Sequence, residues 1–484
     1  MNPGILESFL VTRLKKLNVT LKYRQDTVFS LILAPIRSGL RGFCLFILEI
    51  FLKDYQQKNP LKYYVLPFLS KFVNKVHFRL VGFAFLSTSA LCYCIFLVSG
   101  TAFAEVLGDR IKPFISVREV YDSNVFRVKD KESLKSIVGD DQLHDFITIL
   151  SAGVNLNYEI SRQKMELLLR EDLIYFTHYD DQNANQDTAN GNLTLRVYDK
   201  FSAKMNGFYT KVVEPKEYFL TDEKIYRTSK GGGIELGYDM PLGFTIKAGF
   251  RQEYVDFSIP ELDVRERAIR IFNGGISYTI SPDSEFDIFY ARDIVDYDTR
   301  QSIGGNLINN DSAGDTIKCV FNKKISPETL VSLSAGYHQR KYDEFDARDF
   351  NGFIGKADVS YGITEKVTLM ARAERMLYEA TFLEQTYSVN ETIGLGASYK
   401  ATEKIKAYIY GSTTKESFKG NANITGSDLT EREDDIDEFK TGAIWSPIKM
   451  LDIDLLYRYE KRDSNFDIYT YEAHGVELGI SYKF

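Results

Sequence analysis

Histidine, cysteine and tryptophan are scarce in this chain, with five, four and one in 484 residues. Three of the four cysteines, Cys44, Cys92 and Cys94, lie before residue 105. The body of the chain therefore keeps only Cys319, which excludes an internal disulfide and a CxxC metal or redox site. The histidines of the body, His144, His178, His338 and His474, sit in no nucleophile motif. A hydrolase built on a Ser–His pair finds no support, and the chain reads as a non-enzyme with no catalytic residue. The acidic run Glu431 to Glu438 lacks the Asp-x-Asp-x-Asp-Gly spacing of a calcium loop. A solvated external loop describes it better than a divalent-cation site, and no metal or cofactor is assigned. Positive charge is also short in the body. Residues 1–104 take 13 of the 60 Lys and Arg and 4 of the 67 Asp and Glu, which leaves 47 against 63 beyond them. That acidic balance argues against nucleic-acid binding.

What the body does have is alternation. In the last eleven residues Val476, Leu478, Ile480, Tyr482 and Phe484 share one face, and Glu477, Gly479, Ser481 and Lys483 the other. A period of two marks a strand whose faces meet different solvents. Mean hydropathy is only −0.23, as expected when half of every strand faces water. Aromatic residues make up 14%, with 31 Tyr and 34 Phe, the ring types that suit a border between hydrocarbon and water.

Apolar-alternating runs end on an aromatic at Tyr158, Tyr198, Tyr238, Tyr278, Phe321, Tyr361, Tyr399, Trp445 and Tyr482, at intervals near 40 residues. Each interval holds two long strands, one tight turn and one long polar stretch, which is a hairpin array rather than a propeller blade. Tight turns fall near Ser161, Lys200, Pro241, Pro282, Pro327, Glu365, Glu403 and Pro447, and long loops span 129–142, 178–192, 300–314 and 419–435. Short turns at one end and long loops at the other are the asymmetry of outer-membrane barrels. The expected fold is all-β: a single transmembrane antiparallel β-barrel over 105–484, of about 18 strands, or 16 if one hairpin is misread, with periplasmic termini. The named aromatics would form a periplasmic girdle, and Tyr482 and Phe484 a C-terminal insertion signal.

Ahead of the barrel, residues 71–104 read as a signal peptide. Lys71, Lys75 and Arg79 precede an uncharged core, and Ala102-Phe103-Ala104 places cleavage between Ala104 and Glu105. Residues 1–70 do not fit a leader and read as an upstream extension or a misassigned start.

Faces follow from the alternation. Inward, pore-lining candidates are Lys247, Arg251, Glu253, Arg340, Arg372, Glu374, Asp452, Asp454 and Arg458. An 18-strand closure leaves an aqueous interior unless loops fold in. The charges either select solutes or simply hydrate the lumen and pair across strands.

The opening PFISVREVYDSNVFR, with Tyr121-Asp122-Ser123-Asn124-Val125-Phe126, resembles the first strand of a family of outer-membrane β-barrel porins (porin-2-like barrels), some of them from exopolysaccharide operons. The resemblance covers roughly 111–484. It implies an integral barrel of the Gram-negative outer membrane and supplies no catalytic residues. It makes a polar conduit for exopolysaccharide export the first expectation, a general diffusion porin the second, and a non-conducting surface-binding barrel the third. Expected partners are outer-membrane lipid and lipopolysaccharide, the barrel-assembly machinery, and, for an exporter, polysaccharide and periplasmic export components.

Overall fold

The last strand closes on the first. Phe114 to Asp122 pair with Lys483 to Gly475 in antiparallel register, which turns the sheet into a cylinder without edges. A computed structural model describes residues 110–484 apart from 217–220, 304–305, 345, 380–386 and 420–430. The leader, the Ala104–Glu105 junction and most of the 419–435 loop lie outside the described residues.

Eighteen strands make the wall. The first nine are β1 (Ile111–Asp122), β2 (Asp145–Ile160), β3 (Gln163–Phe176), β4 (Ala184–Val197), β5 (Phe201–Val213), β6 (Tyr226–Asp239), β7 (Phe244–Phe257), β8 (Arg267–Ser281) and β9 (Ser284–Tyr297). A small hairpin, β10 (Gln301–Ile303) and β11 (Asn306–Ile308), interrupts them. The wall resumes with β12 (Ser312–Lys324), β13 (Leu330–Tyr342), β14 (Phe350–Gly362), β15 (Val367–Glu379) and β16 (Tyr387–Lys400). It ends with β17 (Ile405–Lys419), β18 (Glu433–Ile448), β19 (Leu451–Ser464) and β20 (Tyr471–Lys483). Neighbours in sequence pair throughout, and β9 pairs with β12 directly.

The predicted turns lie at one end of the cylinder. At Pro447 the register between β18 and β19 shifts, and the turn itself falls two residues later. Two long loops are shorter than expected. Residues 184–192 extend β4 despite their Asn and Asp content, and the acidic run from Glu433 belongs to β18. In both cases ladder pairing with β3, β5, β17 and β19 outweighs a weak intrinsic preference for turn. The 129–142 stretch holds helix α1 (Lys131–Val138), capped at Asp130, whose carboxylate accepts the Ser133 N–H at 2.8 Å.

The Tyr121–Phe126 motif staples the seam between first and last strands. The Asn124 side chain donates to the carbonyls of Val128 (2.7 Å) and Glu472 (3.1 Å), and Ser123 Oγ accepts the His474 N–H at 2.7 Å. Asp122 pairs with Arg127 at 2.9 Å.

At many of the described glycines an added side chain would clash, and Gly231 of β6 is one. A Cβ there would stand 2.2 Å from the Gln252 carbonyl oxygen and 2.9 Å from Glu253 Cα, both backbone. Gly231→Val is therefore expected to destabilise the β6–β7 pair by about 1–3 kcal/mol. A lowered urea midpoint for loss of the heat-modifiable gel band would show it.

Candidate functional site

The interior is identified by its cavity. A space of about 1540 Å³ reaches the turn end of the barrel and is lined by Lys204, Lys247, Glu285, Asp358, Arg372, Glu374, Tyr410, Glu438 and Lys440 among others. Residues opposite one another in an antiparallel ladder share a face, so the register carries this assignment round the wall. Arg251 and Glu253 share a face with Lys247, Arg340 is inward on β13, and Asp452, Asp454 and Arg458 oppose Ser481, Gly479 and Gly475 on the inner face. All nine candidate pore-lining residues thus point inward.

Most of them are paired. Lys247 bridges Glu285 (2.9 Å) and Asp287 (3.0 Å), Arg251 meets Glu253 at 2.9 Å, and Arg372 donates to Asp358 at 2.6 Å. Lys356 reaches Glu374 and Asp358 at 3.2 Å each, and Asp452 pairs with Lys483 at 2.7 Å. The interior is a mesh of opposite charges, hydrated and close to neutral rather than strongly acidic or basic.

Outward, the girdle candidates sit near the turn end. Tyr158, Tyr238, Tyr278, Phe321, Tyr361, Tyr399, Trp445 and Tyr482 lie on outward-alternating positions of β2, β6, β8, β12, β14, β16, β18 and β20. Tyr198 is in the turn after β4, with φ +53° and 86% exposure. Tyr482 packs on Phe484 with ring centroids 4.9 Å apart. Six to twelve residues up each strand from this ring comes a second ring, of outward ion pairs. They include Lys230–Asp256 (2.8 Å), Arg270–Asp296, Arg292–Asp315 (3.1 Å), Arg375–Glu391 and Lys415–Glu433 (3.0 Å). With the usual rise and tilt of barrel strands, the apolar band between the rings is about 20 Å tall. Sequence reading missed this upper ring, although the Lys, Arg, Asp and Glu that form it stand at outward-alternating positions.

The buried apolar residues gather at the loop end. Phe126, Val128, Leu134 and Tyr179 pack together, and the Tyr179 ring meets Phe126 edge-on at 4.8 Å. Burial, then the carboxylates of Asp140, Asp145, Asp141 and Asp181, push the Tyr179 phenol up to about 12, so it stays neutral and donates to the Gln142 carbonyl. Lys216 sits 5.4 Å over the Phe126 ring, and burial pulls its ammonium down to about 8. Arg432 lies 3.5 Å over the Tyr469 ring and 4.7 Å over Phe418, beside the fully buried Asp434.

One part of the mouth departs from a simple cylinder. The β14–β15 ladder stops at Gly355–Arg375, while β15 and β16 stay paired up to Glu379–Tyr387. Above the break, Leu377, Tyr387 and Val389, on outward-alternating positions, pack against Tyr342 and Phe350, which alternate inward. Glu379 likewise accepts hydrogen bonds from the inward Tyr297 hydroxyl (3.1 Å) and from Arg340, which also binds Asp293 at 3.0 Å. Outer faces meet inner faces only if the β15–β16 hairpin leans across the mouth. The result is a polar and aromatic constriction whose centre is Arg340. No alternation in the sequence announces it, because the pattern of β15 is regular through the bend.

Comparison with solved structures finds barrels that the chain resembles at low identity. They include a BenF-like porin from Pseudomonas fluorescens Pf-5 (9% identity, 78% of this chain and 99% of that one, TM-score 0.43). The outer membrane protein opdK from Pseudomonas aeruginosa gives 10% identity, 77% and 98% coverage and a TM-score of 0.42. No curated protein matches the sequence. The family described as "Putative beta-barrel porin 2" matches residues 110–484, from the first strand of the wall to the last residue. The chain belongs to that family, and it is a porin-like barrel of the outer membrane.

Proposed function

We propose that this barrel is a diffusion channel for small polar solutes, open through its wide cavity at the periplasmic turn end and selective at a narrowed outer mouth. The leaning β15–β16 hairpin carries this reading. A polysaccharide strand needs an unobstructed lumen along its whole length, whereas a small solute needs only a polar path past Arg340, Asp293 and Glu379. Paired charges of both signs favour neutral or zwitterionic polar solutes over either ion class. Exopolysaccharide export would require the hairpin to swing out, and a periplasmic partner to drive it. Periplasmic termini and removal of the leader after Ala104 belong to the same reading.

The test is the single-channel current of the protein purified from outer membranes and placed in planar bilayers. Steady steps, reduced by small sugars entering the lumen, are expected. A heat-modifiable, correctly folded barrel that passes no current would overturn the channel reading and favour a surface-binding barrel.

A further inference from the structure

Among the described residues the outward ring of ion pairs is interrupted on the face of β13 and β14. At β13 and β14 its level is occupied by Tyr337 and Phe353, whose rings meet edge-on with centroids 5.4 Å apart. Phe353 is 74% exposed. Below them lies an outward groove of about 800 Å³ floored by Cys319, Ala335, Gly355, Ala357 and Ala373. The order of charges across this face is specific. On one side β9 carries Arg292 and β12 Asp315; on the other β15 carries Arg375 and β16 Glu391. From β9 to β16 the face reads positive, negative, aromatic, aromatic, positive, negative.

That order is self-complementary. Barrels in one membrane share its normal, so a two-fold axis must run along that normal and bring equal heights together. With the axis between β13 and β14, β12 of one copy faces β15 of the other. Asp315 then meets Arg375 of the second copy, and Arg292 meets its Glu391, twice over by symmetry. The aromatic ridge of each copy lies against the other's ridge and groove. Random order on six strands would set like charges against each other as readily, and like charges opposed across an interface weaken it strongly.

We propose that this face is the contact between two copies of the chain, an isologous dimer centred on Tyr337 and Phe353. The proposal rests on the barrel spanning a membrane and is independent of which solute, if any, it passes. Within one copy Asp315 already pairs with Arg292 at 3.1 Å, and Arg375 with Glu391. A charge swap therefore separates the two roles. The full-length protein, extracted from outer membranes in mild detergent, is expected to sediment as a dimer. Asp315→Arg and Arg375→Asp should each lower the dimer fraction by about tenfold or more. The double variant D315R/R375D should restore it, although it sets Arg292 beside an arginine and Glu391 beside an aspartate within each copy. Heat-modifiable mobility verifies that each variant has folded, and current per barrel reads the channel separately. A wild-type protein that sediments as a single copy overturns the proposal, as does a folded double variant no more dimeric than the single ones.

Discussion

Arg340→Ala widens the mouth and turns the channel towards cations. Arg340 is about nine-tenths buried and is the one cation bound to both Asp293 and Glu379 among the described residues. Deleting one partner of a buried ion pair leaves the other charge uncompensated, a cost of about 3–5 kcal/mol. Here the cost falls on the hairpin and not on the barrel. β13 keeps both its ladders, whereas the hold of β15 on the inner face depends on Glu379 and the Tyr342–Phe350–Tyr387 cluster. The hairpin should swing out and carry Glu379 with it, leaving the Asp293 carboxylate uncompensated in the path. Larger current steps, and a reversal potential shifted towards cation selectivity in a salt gradient, are the expected readings. Unchanged current with unchanged selectivity would show that the constriction does not limit flow.

Neighbouring residues of β17 should respond oppositely to the same substitution. Ile409 points outward within the apolar band and is 46% exposed, while Tyr410 lines the cavity. Ile409→Arg places a charge in hydrocarbon, at a cost of about 2–4 kcal/mol near mid-depth and less towards either ring. Tyr410→Arg adds a cation to a hydrated mesh, so folding should change little and selectivity should move towards anions. Urea midpoints for refolding into vesicles measure the first effect, and reversal potentials the second. Equal losses of stability would mean that the faces are wrongly assigned.

The wall was legible because alternation is a covalent regularity. In β20, Val476 to Phe484 announce their face directly, and the 40-residue spacing of aromatics marks each hairpin. Strand ends were less legible. Asn185, Asp187 and Asn190 look like loop residues, yet the ladder extends through them. The motif around Asn124 stands out in the sequence as a signature, but its task does not, since its partner Glu472 lies 348 residues away. The constriction was hidden for a related reason. Glu379, Arg340 and Tyr297 come from three strands, and only the bend that ends the β14–β15 ladder brings them together.

A hydrophobic belt of about 20 Å is short beside the roughly 25 Å of a typical outer-membrane barrel. Acyl chains next to it must compress or splay to keep polar groups at both rings wetted, which stores elastic energy in a collar of bilayer around every molecule. That collar grows with the perimeter of the protein in contact with lipid. Any arrangement that shortens the perimeter releases part of the stored energy, so the membrane itself should draw these barrels together, more strongly in thick bilayers than in thin ones.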